Sequence, residues 1–85
     1  MPLISMFYGI IIRMFANDHS PSHLHAKYAE YDGVFDFDGN LIEGNLPNKQ
    51  RKLIEAWILI HKEELLANWE LLKNKDQPIK IEPLK

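Results

Sequence analysis

The chain contains no cysteine. That excludes a disulfide framework and a thiolate metal site, so any metal would rest on His, Asp or Glu ligands. It has no excess of basic charge either: 10 Lys and Arg stand against 12 Asp and Glu, for a formal net charge of −2. A dedicated duplex-DNA binder needs a basic face, so that class is disfavoured, although a nuclease with a local basic patch is not. Long apolar runs are also missing. Gly9 and Arg13 interrupt the N-terminal stretch MPLISMFYGIIIR, and nothing approaches the roughly 18 residues of a membrane-spanning helix. No basic residue precedes Arg13, so this stretch does not read as a secretory signal, and neither end carries a lipidation signature. The expected location is the cytoplasm, with no membrane partner.

What remains is ordinary globular material, with 85 residues, 46% of them hydrophobic and 26% charged. This fits one small domain and not a disordered tail. A domain of this size buries only about 60–65% of its unfolded surface, so its stability is thin. The chain is read as a single domain over residues 1–85, with a β meander over 1–46, a helical part over 47–75 and an extended tail over 76–85.

Ile4 to Phe15 is rich in β-branched and aromatic residues and reads as one strand, apolar on both faces. Tyr8, Ile10, Ile12 and Met14 fall on one side of it, and Phe7, Ile11 and Phe15 on the other. ANDHSPS, over residues 16–22, is dense in turn formers and reads as a loop. Leu24 to Tyr31 alternates, with Leu24, Ala26 and Tyr28 on one face and His23, His25 and Lys27 on the other. Asp32-Gly33 is a hairpin signal, Val34 to Phe37 a third strand, and Leu41 to Glu43 a fourth or a single rung.

A helix begins near Pro47, with Asn45 or Asn48 available as cap. Its stripe runs through Leu53, Ile54, Trp57, Ile58 and His61. Leu65, Leu66, Trp69 and Leu72 continue in a shifted phase, so the spacing predicts a break near His61 to Glu63. The second helix would begin with Glu63 and Glu64 and end with Lys73 and Lys75, which suits the macrodipole. The expected fold class is therefore α+β: an antiparallel sheet of three to four strands followed by two C-terminal helices packed on one face.

Three groups of residues bear on chemistry. Three of the four histidines crowd between residues 19 and 25. His23 and His25, two apart on a strand, point to one side with Cα atoms about 6–7 Å apart. That arrangement serves as a general acid and base, as an N/O metal site closed by Asp18 or His19, or as a solvated strand edge. His61 lies in the apolar stripe of the first helix, either as a core histidine satisfied by the backbone or as a third member beside His23 and His25. Lys49, Arg51 and Lys52 occupy the first turns of the helix, where the dipole disfavours cations. With Arg13 and Lys27 they form either an anion-binding patch or a solvated face.

Two tryptophans, four phenylalanines and three tyrosines are many for one small core. Helices on one side of a sheet leave its other face open. A partner is expected there, as a homodimer or a heteromer, unless the C-terminal arm covers it. No cofactor is expected.

The start PLISMFYGIIIRMFANDHSPSHLHAKY contains P-x-H-x-H (Pro21, His23, His25). It is followed by W-x3-H-x2-ELL-x2-W, formed by Trp57, His61, Glu64-Leu65-Leu66 and Trp69. Together they resemble the bacterial domain-of-unknown-function 4160 family from Pro2 to about Leu72. The family usually has a second proline directly before the first histidine, where this chain has Ser22. The resemblance implies a small prokaryotic cytoplasmic protein of uncharacterised activity. Its relatives are often one half of a two-gene unit, whose companion is another small domain, in an arrangement similar to toxin–antitoxin pairs. The polar positions it emphasises are Arg13, Asp18, His23, His25 and His61. The leading expectation is a toxin–antitoxin-like subunit that binds a small cognate protein. The alternatives are a metal-independent ribonuclease or phosphodiesterase, with His23 and His25 as acid–base pair and RNA as partner, and a histidine-based metal-binding domain.

Overall fold

A computed structural model describes residues 2–15 and 22–85. Its elements are β1 (Leu3–Phe7), β2 (Ile10–Arg13), β3 (His23–Tyr28), β4 (Tyr31–Asp36), β5 (Leu41–Gly44), α1 (Asn48–Ile60) and α2 (Lys62–Lys73). The five strands form one antiparallel meander in the order β1-β2-β3-β4-β5. The α+β class and the two C-terminal helices are as the sequence predicts, with one strand more than expected.

The extra strand comes from splitting Ile4 to Phe15. Tyr8 and Gly9 turn the chain with φ of 49° and 79°, the pair of left-handed residues that a type I′ hairpin turn requires. Tyrosine at such a position is uncommon, so an apolar run hid the turn. The reversal puts Phe7 on the same side as Ile10, Ile12 and Met14, and all four are buried. The next hairpin also differs from expectation. It turns at Ala29 and Glu30, with Ala29 at φ 52°, and Asp32-Gly33 lies inside β4. Gly33 has a spatial reason instead: a Cβ there would stand 2.9 Å from Leu41 Cδ1 and 3.0 Å from Leu46 Cδ1.

The β4–β5 turn is organised by Asp36. Its carboxylate accepts from the backbone N–H of Asp38 and of Asn40, each at 2.9 Å, and from Asn40 Nδ2 at 3.0 Å. Partial burial pushes this carboxyl up. The backbone and side-chain bonds from Asn40, the bond from Asp38 and the Lys62 charge outweigh that and hold it below the ordinary aspartate value of 3.8.

The helices cover one side of the sheet. Ile10, Ile12, Leu24, Ala26 and Phe35 share a buried cluster with Ile54, Trp57, Ile58, Leu65, Trp69 and Leu72. Trp57 tilts onto Phe7 at 5.3 Å between ring centroids, and Trp69 meets Phe37 edge-on at 6.0 Å. α1 starts after Pro47 with no side-chain cap, so neither Asn45 nor Asn48 does the work expected of it. Pro47 supplies the carbonyl for the first bond, to the Arg51 N–H. The break falls at His61, and α2 carries Glu63 and Glu64 in its first turn and Lys73 in its last.

The tail is held by side chains. Asn68, 2% exposed on α2, donates through Nδ2 to the Ile79 carbonyl (2.7 Å) and accepts the Ile79 N–H on Oδ1 (2.8 Å). Trp57 Nε1 donates to the Glu82 carbonyl at 2.8 Å. Ile81 is buried in the core, and its N–H donates to the Ile4 carbonyl at 2.9 Å. The tail therefore lies beside β1 and the helices. No helix is long and apolar enough to cross a membrane among the described residues.

Candidate functional site

Strand parity decides which side chains reach the side of the sheet away from the helices. In β2 they are Ile11 and Arg13, in β3 His25 and Lys27, in β4 Asp32 and Val34, and in β5 Glu43. The register aligns them in two rows. Arg13 pairs with His25, His25 with Val34, and Val34 with Glu43, while Ile11 pairs with Lys27 and Lys27 with Asp32. A shallow cavity of about 330 Å³ opens over these rows, with Phe15 at its side and no tail residue in its wall.

Its floor is apolar (Ile11, Val34 and the Phe15 ring), and its charges are divided by strand. Cationic side chains stand on β2 and β3, and anionic ones on β4 and β5. Lys27 Nζ lies 3.7 Å from Asp32 Oδ2, with both side chains more than half exposed, a pair of little energetic weight. Arg13 and Glu43 have no ion-pair partner among the described residues.

The histidines separate into three settings. His25 packs edge-on against Phe15, 4.3 Å between centroids, and lines the cavity. The His23 ring lies 5.4 Å from that of His25, and it also rests on Trp69, again at 5.4 Å. Both imidazoles make further interactions. His61 sits at the helix junction, its side chain 14% exposed, with its ring 5.4 Å from that of Trp57. Its Nδ1 is 2.5 Å from Glu64 Oε1. A carboxylate only accepts, so Nδ1 is the donor and Nε2 carries the free lone pair when the ring is neutral. Trp69, on which His23 rests, lies eight positions beyond His61, about 12 Å of helix rise. No three His, Cys, Asp or Glu side chains among the described residues stand close enough to hold a metal ion.

The arrangement thus brings Arg13, His25 and Lys27 to one cavity, while His23 lies beside His25 and against Trp69 without lining the cavity. His61 lies elsewhere. Asp18 and His19, like Pro21, fall outside the described residues. Lys49, Arg51 and Lys52 are in the first turns of α1, where Arg51 bonds Glu55 at 3.1 Å, and none of the three lines the cavity. Sequence reasoning did not single out Val34, Asp32 and Glu43. Their signal was the alternation of β4 and β5, which the misplaced hairpin obscured.

This is a protein of the α+β class, and among its described residues the helices and the tail pack on one side of a single sheet. The sequence model of the family described as Domain of unknown function (DUF4160) matches residues 9–70, and the chain belongs to that family. No curated protein and no solved structure matches it.

Proposed function

We propose that the protein is an interaction subunit of a toxin–antitoxin-like two-gene unit, and that it holds a small cognate protein on its open sheet face. One observation carries this reading: a concave apolar floor on that face, between a cationic and an anionic edge, with the helices and the tail spent on the other side. An apolar centre inside a charged rim is the anatomy of a protein interface. The test is to co-express the chain with the product of the adjacent gene and to purify the pair. The expected result is a stable complex that Ile11→Glu disrupts. In that variant the new carboxylate lies opposite Lys27, so the sheet tolerates it while the floor loses its apolar character. Absence of a complex, or one indifferent to the substitution, overturns the reading.

A second reading, phosphodiester cleavage, is favoured by a separate observation. Arg13 stands directly opposite His25, and both share the cavity with Lys27. There His25 would exchange a proton with the reacting oxygen, with His23 as its counterpart, while Arg13 and Lys27 bind the phosphate charge. RNA cleavage in EDTA, abolished by His25→Ala, supports it. No cleavage by the wild-type protein contradicts it.

A further inference from the structure

We infer that the occupant of the open sheet face, when no cognate protein is present, is a second copy of this chain, packed face to face about a two-fold axis. The inference rests on the reading of that face as an interface, and it names the partner from the charge pattern.

A two-fold axis that runs parallel to the strands, between the two sheets and over the gap between β3 and β4, carries β3 of one copy onto β4 of the other and β2 onto β5. Positions along the strands are preserved. The register then fixes what meets what. Arg13, His25, Val34 and Glu43 form one row across β2 to β5, so Arg13 lies over Glu43 of the second copy and His25 over Val34. Lys27 and Asp32 are neighbours in the adjacent row, so Lys27 lies over Asp32 of the second copy. Every charge meets its opposite, and the symmetry makes each contact twice. The alternative axis over β3 itself would set Lys27 against Lys27 and is disfavoured.

Sheets packed face to face sit about 10 Å apart with their strands within about 30° of each other, a spacing that long side chains such as Arg13 and Lys27 bridge. Arg13 and Glu43, which lack ion-pair partners among the described residues, each acquire one. The face is built from four short strands of four to six residues, so a weak, reversible dimer is the expected form. Rim charges make it weaker as salt rises.

Sedimentation velocity of the isolated chain, at concentrations spanning the micromolar range, tests this directly. The expected result is a reversible monomer–dimer equilibrium. Arg13→Glu and Glu43→Arg should each weaken it at least about tenfold by setting like charges against each other. The double variant Arg13→Glu/Glu43→Arg should recover most of the loss, because both partners are reversed together. Circular dichroism verifies that each variant is folded, and Glu43, exposed on the edge strand, provides the variant least able to disturb the fold. A monomer at every concentration, or a dimer insensitive to both single reversals, overturns the inference. A monomeric chain that still binds its cognate protein through Ile11 overturns the inference alone and leaves the functional reading standing.

Discussion

At the residue scale, three side chains do work that their types conceal. Asn68 falls in the apolar stripe of α2, where an amide would be a liability. It is tolerated because its two polar ends meet the N–H and carbonyl of Ile79, as a neighbouring strand would. Asn68→Ala removes both bonds and leaves the part-buried N–H and carbonyl of Ile79 without this partner. The expected loss is about 2 kcal/mol in urea unfolding, and an unchanged midpoint would show that the clamp contributes nothing. Asp36 carries the acid sensitivity of the β4–β5 turn. Its carboxyl is held below 3.8 in the folded protein, so its contribution is complete above that value and disappears as the pH falls through the folded value. Asp36→Asn keeps an acceptor but no charge. The gap in Tm between wild type and variant should therefore be widest above about pH 5 and should narrow toward about pH 3. A gap independent of pH contradicts the assignment. His61, placed in the stripe by its phase, is anchored to Glu64 and Trp57 at the point where the helix breaks. Its setting is that of a junction residue.

At the element scale, the legible features were those set by periodicity. The alternation of Leu24, Ala26 and Tyr28 against His23, His25 and Lys27 appears in β3 as read. The shift of phase between Trp57 and Leu65 marks the boundary of α1 and α2 to within a residue. The features that were misread depended on tertiary space. Tyr8-Gly9 turns the chain although tyrosine is a poor turn former, and Asp32-Gly33 does not turn although it has turn chemistry, because Gly33 is needed where Leu41 and Leu46 press on the sheet. With the turn placed at Asp32-Gly33, the first half of β4 is lost from the strand, and Asp32 with it as a neighbour of Lys27 on the open face. Local sequence marks the tail only as an extended arm. Its anchors, Asn68, Trp57 and Ile4, are distant in sequence and invisible to local pattern. Residues 78–85 lie beyond the family match, yet Ile81 is part of the core. Ending the chain at Asp76 uncovers that core and strands both Asn68 and the Trp57 indole. The expected cost is on the order of 3–5 kcal/mol, a large share of the stability of a small domain. Native-like Tm and unfolding midpoint in the shortened chain would contradict this role.

At the scale of the whole molecule, the two sides of the sheet have different tasks. The helical side takes Trp57, Trp69, Phe7, Phe35 and Phe37 into the core, so most of the aromatic richness of the sequence is absorbed there, while Phe15 lines the open side. That side keeps a short apolar floor, an unpaired Arg13 and Glu43 among the described residues, and His25 at its centre. A substitution there should change association while leaving folding nearly untouched, within about 0.5 kcal/mol. A substitution on the helical side should do the reverse. The most direct measurement is a calorimetric titration of the proposed cognate protein, the product of the adjacent gene, into the wild-type chain and into Ile11→Glu, with Tm recorded for both. Micromolar or tighter binding by the wild type, at least about tenfold weaker in the variant at an unchanged Tm, is the predicted result. Equal binding by both, or none by the wild type, would contradict the assignment of the open sheet face as the working surface of this protein.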